Sequence, residues 1–509
     1  MEVVFGGTNI NAYVIERILN GEHVDPSDIT PESISAGYAR VSRSSKSVTE
    51  LREESSREIP KARKSNKTIV FGIGHHSVAE HPCINLDVIG ISRLALEALE
   101  SHRIGVGYTE KSQRYITLKG DYVTPKELDS LPDNLRTAFP ALIESQNKLY
   151  NFVMPTLLEF HRENNPGLAE QAQSDNKAKN TLEGFAKEDA RYVLSLSTEG
   201  QLGFTANFRA LEYIIRQLRH HPLAEVRELS DKFYNVASEV APSLIKLCDA
   251  QAFKQEFGVP LQEKFVRKFN SDLKEACRHL LERKIKSRLA EVTDVNLLDY
   301  NPNGDAEVIA GLIMNGSQEQ FEVAYELAVK AIESKKAKQF LLESFKELTE
   351  FDKMPREFEL SDFTFELLTS ASAFAQLKRH RMMTLLPGSY NPDLGYTIPE
   401  SVSSMGLEKL FIEEMDKASD SFYKAAKDNP WVAQYFLTNG HRRLSTVKMN
   451  LRELYAFSRL RQDSHAQWDI RNTANKMTEL AQRVNPLTTI FLGGKDQFPE
   501  IKRSLYGNE

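Results

Sequence analysis

Cysteine, tryptophan and long apolar runs are scarce in this sequence of 509 residues. Its three cysteines, Cys83, Cys248 and Cys277, show no paired spacing, which argues against a disulfide framework and favours a reducing compartment, most simply the cytoplasm. No apolar run approaches the ~20 residues that a membrane-spanning helix needs. The first residues also lack the basic and apolar regions of a signal peptide. The sequence therefore predicts a cytoplasmic protein with no membrane partner.

An excess of positive charge is also missing. The chain has 65 lysine and arginine residues against 71 aspartate and glutamate residues, which gives a net charge of -6. A surface that binds nucleic acid without sequence preference needs a basic excess, so we expect no nucleic-acid partner. The 41% hydrophobic and 27% charged content is typical of a soluble globular protein, and the length accommodates two or more domains.

The chain contains an internal repeat with three landmarks in the same order. The first landmark is a turn that enters a helix. The second is a strand with alternating apolar residues that passes into a helix ending at a His-Arg pair. The third is an Asn-x-Arg that opens a long helical pattern. Two unrelated α+β domains that share short fragments would not be expected to keep this order. The matched segments are 29–33 and 300–304, 84–88 and 363–367, and 207–211 and 450–454.

The repeat predicts a first copy at residues 1–255 and a second copy at residues 291–509, joined by a charged helical connector at residues 256–290. The matched His-Arg pairs lie 278 residues apart, whereas the matched Asn-x-Arg segments lie 243 residues apart. The first copy therefore carries about 35 additional residues between these landmarks. We place them in a polar helical insertion at about residues 121–186.

The most specific motif is NLRELYAFSRLRQDSHAQWDI, which begins at Asn450 and includes Arg452. Arg461 and His465 are four residues apart in it, so we expect them on one face of a helix. A guanidinium suits a planar anion because it can donate to two oxygens at once. Taken alone, such a helix is more often a solvated charged face than a ligand site. The first copy has a degraded version of this motif, in which Arg219 is matched to Arg461.

A second motif is divided between the two copies. The second copy keeps a glutamine followed by Arg-His-Arg and then departs into MMTLLPGSYNPDLGYTIP. The first copy has Ser101 in place of the leading arginine, but it keeps the run YTEKSQRY. We place one inserted residue before this run, at 105–107. The preserved residues are Gln376, Arg379, His380 and Arg381 in the second copy, and Glu110, Ser112 and Arg114 in the first.

Two further motifs are complete only in the first copy. The run GHHSVAEH at residues 74–81 brings three imidazoles and a carboxylate close together, which leaves a metal site as an alternative interpretation. Its spacing is not HExxH and no second ligand cluster is evident, so we expect no metal. The run EDARYVL contains Arg191, whose place in the second copy is taken by Gln434.

Together, these motifs resemble the flavin-dependent thymidylate synthases, including the run RxDSHAQW almost residue for residue. The resemblance covers most of residues 30–250 and 290–490. It implies an α+β fold with two tandem copies of the family domain, each an antiparallel sheet with long flanking helices. It also implies the FAD-dependent methylation of dUMP to dTMP, with methylenetetrahydrofolate and NADPH as co-substrates.

The resemblance further implies roles for individual residues. Arg461 corresponds to the catalytic arginine that faces the uracil ring, where a guanidinium stabilises developing negative charge. No cysteine nucleophile is implied. The residues implied to bind dUMP are Glu110, Ser112, Arg114, Arg191, Gln376, Arg379 and Arg461. Those implied to bind FAD are His75, Ser77, Glu80, Arg379, His380, Arg381, Asn450, Arg452 and His465.

The surviving motif residues form complementary halves, and this implies composite sites that draw on both copies. The family is a homotetramer with shared sites, so the resemblance implies that this chain is a homodimer that mimics the tetramer. An alternative is a catalytically inactive flavin- or nucleotide-binding relative, which Ser101 and the inserted residue favour. A helical scaffold is a third interpretation, although a scaffold has no need for arginines in complementary halves.

Overall fold

A computed structural model of the protein describes residues 1–116, 118–258, 272–273, 275–277 and 292–507. Most of the predicted connector at residues 256–290 therefore lies outside the described residues. The chain divides into two compact units, each of which includes a segment from the other half of the sequence. Unit 1 is Met1–Lys187, Leu194–Lys286 and Asp416–Leu437, and unit 2 is Glu188–Val193, Ser287–Met415 and Thr438–Glu509.

Each unit contains a four-stranded antiparallel sheet. The orders β1-β2-β4-β3 and β5-β6-β8-β7 are equivalent, and the central strands pair in matching registers, with Cys83 opposite Asn207 and Asp362 opposite Asn450. The prediction of an α+β fold with one antiparallel sheet per copy is confirmed. The strands are β1 Glu2–Thr8, β2 Cys83–Ser92, β3 Val106–Glu110, β4 Glu199–Asn207, β5 Val295–Tyr300, β6 Asp362–Ser370, β7 Thr384–Pro387 and β8 Arg442–Asn450.

Helices make up most of the remaining described chain. In the first half they are α1 Ala12–Leu19, α2 Glu32–Ala39, α3 Val48–Arg57, α4 Ile59–Asn66, α5 Arg93–Glu100, α6 Asp133–Asn164, α7 Pro166–Gln171, α8 Asn176–Ala190, α9 Phe208–Leu218, α10 Ala224–Val240 and α11 Ala250–Phe257. In the second half they are α12 Gly304–Ser317, α13 Phe321–Glu333, α14 Ala337–Ser344, α15 Ala371–Leu377, α16 Glu400–Ser404, α17 Glu408–Ala426, α18 Pro430–Ala433, α19 Leu451–Arg461, α20 Trp468–Val484 and α21 Phe498–Tyr506. None of the helices in the described ranges has the length and apolar character that crossing a bilayer requires.

Shorter helical turns connect several of these elements. The 3-10 turns are Pro26–Asp28, Val41–Arg43, His76–Glu80, Lys126–Ser130, Arg191–Val193, Arg356–Leu360, Pro392–Leu394 and Gln434–Phe436, and Lys67–Gly72 is a π-helical turn. Two of them, Arg191–Val193 and Gln434–Phe436, precede β4 and β8 at matching places in the two halves.

The strand-to-helix junctions are built in the same way in both units. Asn207 and Asn450 end β4 and β8, and each side chain accepts the backbone N–H three residues further on, at 2.8 and 2.9 Å. Ser92 and Ser370 cap α5 and α15 after β2 and β6 in the same manner. An N-cap of this kind stabilises a helix by about 1 kcal/mol and fixes where it begins. The matched caps therefore give a residue-by-residue register between the two halves.

The core of each unit lies on the inner face of its sheet. In β2 and β6 the alternating apolar side chains are buried, as their period of two predicted. In unit 1, Phe204 of β4 stacks on Phe233 of α10, with ring centroids 5.0 Å apart. In unit 2 the sheet packs against α19 and α20 in one continuous cluster, which includes Phe363, Phe365, Leu454, Phe457, Ile470 and Met477.

Each unit takes one segment from the opposite half of the sequence. Glu188–Val193, which leads into β4, belongs to unit 2, and Asp416–Leu437, which leads into β8, belongs to unit 1. These segments carry Tyr192 and Tyr435, which are fully buried in the units they join. The compact units therefore do not coincide with the two sequence copies.

The segment predicted as an insertion, at about residues 121–186, contains helices α6 and α7 and most of α8. Its first residues are not helical, because Tyr122 forms an isolated antiparallel bridge with Thr198. Tyr396 forms the same bridge with His441 in the second half. The start of the segment thus has a counterpart in the second half, and we propose that the additional residues are confined to its helical part.

The buried histidine His441 is expected to make the stability of unit 2 depend on pH. Burial lowers the pKa of the His441 imidazole from 6.5 to about 3, and its Nδ1 accepts the Thr438 N–H at 3.0 Å. The folded protein therefore keeps this ring neutral, and its contribution to stability is present above the unfolded pKa of 6.5 and is lost as the pH falls toward 3. We expect this contribution to the free energy of unfolding to fall by about 2 kcal/mol between pH 7 and pH 5.

Denaturant unfolding at both pH values, followed in the wild type and in His441→Asn, measures this contribution as a difference. The variant should lose less stability on acidification, by about 2 kcal/mol. Because other groups titrate equally in both proteins, only the difference between them reports on His441. Equal losses in the two proteins would mean that His441 is protonated without cost in the folded state.

Candidate functional site

The site in unit 2 is built around Arg461, the last residue of α19. Its Nε–H donates to Nε2 of His380 at 2.9 Å, and its Nη1–H donates to Oε1 of Gln376 at 2.9 Å. Both partners are buried, so they hold the guanidinium in one orientation. The structure thus brings Arg461 together with two residues of a different motif, 81 and 85 positions earlier in the sequence.

The bond from Arg461 determines the tautomer of His380. A guanidinium can only donate, so Nε2 of His380 must accept, and the ring proton lies on Nδ1. Nδ1 is 3.6 Å from Oε1 of Glu453, and the ring packs edge-on against Phe457 with centroids 4.7 Å apart. His380 therefore supports Arg461 from inside the unit as a neutral imidazole.

The residues on either side of His380 have the opposite exposure. Arg379 and Arg381 are exposed, whereas His380 is 6% exposed. The segment after α15 thus presents two cations to solvent and one imidazole to the interior. Exposed guanidinium groups on a firmly anchored segment suit a phosphate ligand, because each can donate two parallel hydrogen bonds.

Arg191 of the first half also lies in unit 2. It begins the 3-10 turn Arg191–Val193, is buried, and its backbone carbonyl accepts from Nδ2 of Asn439 at 3.1 Å. The next residue, Tyr192, stacks on Trp468 with centroids 5.5 Å apart, and its hydroxyl donates to Asp469 at 2.9 Å. Unit 2 therefore contains four of the predicted dUMP-binding residues, Arg191, Gln376, Arg379 and Arg461.

The other predicted dUMP-binding residues lie in unit 1, at the end of β3. Oε1 of Glu110 accepts from Nη1 of Arg93 at 2.8 Å, and both side chains are almost fully buried. Beyond the strand, the Ser112 hydroxyl accepts the Arg114 backbone N–H at 3.2 Å, and the Arg114 guanidinium lies over the exposed ring of Tyr115. Arg93, the ion-pair partner that holds Glu110 in place, lies outside the motifs that the sequence reveals.

The strand registers identify the second-half counterparts of this loop. Glu110 lies opposite a residue five positions before the Asn207 cap, and Pro387 lies opposite a residue five positions before the Asn450 cap. Glu110 therefore corresponds to Pro387, and Ser112 corresponds to Ser389. Seven residues separate Arg381 from Ser389 in the sequence, a spacing that could have revealed this match.

Three predicted FAD-binding residues line a cleft in unit 1 of about 570 Å³, a volume within the usual range for small-molecule sites. The rings of Tyr38 and His81 form part of its wall, with centroids 4.5 Å apart. Imidazole, hydroxyl and guanidinium groups on one cleft fit a ligand with phosphates and a polar ring system, as FAD has. The lining includes Tyr38, Arg43, His75, Ser77, Glu80 and His81. Within the described part of the chain, no three His, Cys, Asp or Glu side chains converge as metal ligands.

Two other predicted FAD-binding residues, Asn450 and Arg452, make intramolecular contacts, as does Glu80 of the cleft. Asn450 caps α19, and Arg452 donates from Nη1 to Oε1 of Glu359 at 2.7 Å. The first half repeats this ion pair, since Arg209, the register counterpart of Arg452, pairs with Glu80. Asn450, Arg452 and Glu80 therefore stabilise the junction between a helix and a 3-10 turn, in addition to any contact with a ligand.

Two predictions from the sequence are wrong. Arg461 and His465 do not share a helical face, because α19 ends at Arg461 and the next residues form a loop. Asp463 accounts for this loop: its carboxylate accepts the His465 N–H at 2.9 Å, a local bond that competes with helix formation. The His465 side chain is 89% exposed. The matched caps also show that Arg461 corresponds to the buried Leu218, not to Arg219.

Comparison with known proteins follows the same division into two halves. A model of the family described as thymidylate synthase complementing protein, Thy1, matches residues 27–243 and 296–487. A UPF0159 protein of Chlamydia pneumoniae is 23% identical over 441 residues, covering 85% of this chain and 81% of that protein. A UPF0159 protein of Thermoplasma acidophilum is 23% identical over 449 residues, covering 82% and 86%. A flavin-dependent thymidylate synthase of Clostridium tetani is 30% identical over 223 residues, covering 42% of this chain and 81% of that protein.

Solved structures align with about half of the chain. Thymidylate synthase X of Helicobacter pylori, in a structure with FAD and dUMP, aligns at a TM-score of 0.30 and 19% identity, covering 48% of this chain and 100% of that one. The UMP/dUMP methylase PolB of Streptomyces cacaoi aligns at a TM-score of 0.34 and 17% identity, covering 50% of this chain and 94% of that one.

Proposed function

This chain belongs to the Thy1 family of thymidylate synthase complementing proteins, and on that premise we propose that it methylates dUMP to dTMP. The observation that carries the proposal is the support of Arg461 by two buried side chains, Gln376 and His380. A guanidinium fixed in advance can stabilise charge on a pyrimidine ring without reorganising during the reaction. FAD, when bound, would supply the hydride, with NADPH as reductant and methylenetetrahydrofolate as the carbon donor.

The nucleotide phosphate is the part of the substrate that needs cations most. We propose that Arg191 and Arg379 of unit 2 bind it, together with Ser112 and Arg114 of unit 1. A dianionic phosphate accepts several charge-assisted hydrogen bonds, and arginine donates them in pairs. We assign Gln376 and Glu110 to the dUMP site as well, where each is already held by an arginine, Arg461 or Arg93.

We propose that FAD binds to the imidazole-lined cleft of unit 1 and to the arginine segment of unit 2. The cleft offers His75, Ser77 and Glu80, and unit 2 offers the residues after α15 and at the start of α19. Two tandem copies, at residues 1–255 and 291–509, would then form composite sites, and two chains would form a homodimer that mimics a tetramer. The proposed FAD-binding residues of unit 2 are Arg379, His380, Arg381, Asn450, Arg452 and His465.

A second candidate function is that of an inactive relative that binds flavin or nucleotide. Three residues of the first half favour an inactive relative. Ala98, Ser101 and Leu218 occupy the positions that correspond to Gln376, Arg379 and Arg461. A site made only from first-half residues would therefore lack the groups that carry the reaction.

Purified protein distinguishes the two candidates. The absorption spectrum, recorded with and without dUMP, should show a bound flavin whose bands shift when the nucleotide is added. Tritium release from 5-labelled dUMP, in the presence of methylenetetrahydrofolate and NADPH, should then report turnover. A flavin spectrum without tritium release would favour the inactive relative. Activity that is lost on chelation together with stoichiometric zinc or iron would instead make the histidines a metal site.

A further inference from the structure

A half-buried carboxylate in unit 2 holds together two segments that come from opposite halves of the sequence. Asp469, at the start of α20, accepts hydrogen bonds from the hydroxyls of Ser370 at 2.5 Å and Tyr192 at 2.9 Å. Nε2 of Gln467 donates to the same Tyr192 hydroxyl at 2.6 Å. Tyr192 is fully buried and Asp469 is partly exposed, and burial raises the pKa of both groups.

Both donors belong to segments that carry proposed dUMP-binding residues. Ser370 is the N-cap of α15, the helix that contains Gln376 and leads into Arg379. Tyr192 directly follows Arg191 in one 3-10 turn. Asp469 therefore links the α15 segment to the Arg191 turn through hydrogen bonds. Asp469 itself is not a residue of the proposed dUMP site.

Unit 1 contains an equivalent carboxylate bonded to an N-cap serine and a tyrosine, but the helix and the turn that it joins carry no proposed dUMP-binding residue. Glu225, at the start of α10, accepts from the Ser92 hydroxyl at 2.7 Å and from the Tyr435 hydroxyl at 2.6 Å. Ser92 is the N-cap of α5, as Ser370 is of α15. However, Gln434 precedes Tyr435 where Arg191 precedes Tyr192. The two networks use the same kinds of hydrogen bond, but only the network of unit 2 includes the residue that follows a proposed dUMP-binding arginine. The network of unit 1 therefore provides a matched control.

We propose that Tyr192 and Asp469 are positioning residues for dUMP, which act through Arg191 by fixing the turn on which it lies. This inference rests on the proposed function. A hydroxyl-to-carboxylate bond in a buried site restricts the turn, and its loss lets the adjacent guanidinium move away from the phosphate. A purely structural network would instead lower stability and leave nucleotide affinity unchanged.

The test compares Tyr192→Phe with Tyr435→Phe, because each variant removes one hydroxyl from equivalent buried positions. Calorimetric titration of the FAD-loaded protein with dUMP should give a Kd raised on the order of tenfold in Tyr192→Phe and unchanged in Tyr435→Phe. Both variants should lose similar thermal stability. Equal dUMP affinity in the two variants would overturn the inference.

A double-mutant cycle shows whether Tyr192 acts through Arg191. If it does, adding Tyr192→Phe to Arg191→Lys, which keeps the charge but loses the forked geometry, should lower dUMP affinity less than Tyr192→Phe does in the wild type. Additive losses would mean that Tyr192 affects binding by another route, and the inference would be wrong. A wild-type protein that binds FAD but not dUMP would overturn the proposed function itself. Wild-type binding with no effect of Tyr192→Phe would overturn only the positioning role.

Discussion

Replacing Arg461 with alanine is expected to lower the rate of dTMP formation by about 10²–10³-fold, while FAD remains bound. Gln376 and His380 fix the guanidinium before substrate arrives, so its loss removes a preorganised donor rather than a mobile one. Removing such a donor from a site of developing charge costs about 3–4 kcal/mol. Product formation under saturating substrates, with the flavin spectrum as a measure of bound FAD, checks both parts of the expectation.

Two variants serve as controls for Arg461→Ala. Arg219→Ala removes an arginine one residue beyond the end of α9, the helix that corresponds to α19, and it should leave turnover close to that of the wild type. Arg461→Lys keeps the charge but loses the forked geometry, so we expect it to remain impaired. Turnover near the wild-type rate in Arg461→Ala would remove this residue from the proposed chemistry.

Arg114→Ala and Arg379→Ala are each expected to abolish measurable dUMP binding, although the two arginines belong to different sequence copies. The reason is that one phosphate would draw on both residues, and removing either leaves charge on it uncompensated. Calorimetric titration with dUMP measures the loss. Arg136→Ala and Arg483→Ala remove exposed arginines from α6 and α20, and they should bind dUMP normally. Retained affinity in either site variant would contradict a composite nucleotide site.

A mixture of Arg114→Ala and Arg379→Ala shows whether one chain or two chains supply the residues of a nucleotide site. If residues from two chains form it, mixed dimers will contain one intact pair and regain dUMP binding. If one chain supplies both residues, the mixture will stay inactive. In both cases we expect FAD to titrate to about one per chain. The reason is that Ala98, Ser101 and Leu218 of the first half cannot replace the side chains of their second-half counterparts, Gln376, Arg379 and Arg461. Two equal dUMP sites per chain would contradict the composite arrangement.

Local sequence signals predicted much of the fold and part of the site. The alternation in β2 and β6 and the asparagines that end β4 and β8 act within a few residues, so they are visible without knowing the partners. These features revealed the duplication and placed the motifs on equivalent elements. The edge strands β1 and β5 were not predicted, because they are short and largely exposed and lack a clear alternation.

Contacts between distant segments could not be predicted from the same signals. An apolar sequence pattern indicates that a residue is buried, but it does not identify the residues that pack against it. The membership of Glu188–Val193 in unit 2 therefore has no sequence signature. The bond between Glu110 and Arg93 was missed for a similar reason, since the two residues are seventeen positions apart in the sequence and Arg93 lies on a helix. The end of α19 was misplaced because Asp463 forms a local bond that periodicity does not reveal.

The exchange of segments between the halves has a consequence for the order in which the chain can fold during synthesis. Unit 1 includes Asp416–Leu437, so it cannot be completed until the ribosome has made most of the second half. Until then, Glu225 lacks the Tyr435 hydroxyl that it binds in the finished protein. A gene fragment that encodes the first half alone would therefore produce an incomplete unit. Once the duplicated halves had exchanged these segments, separating them again into two independent proteins would have required each to be rebuilt.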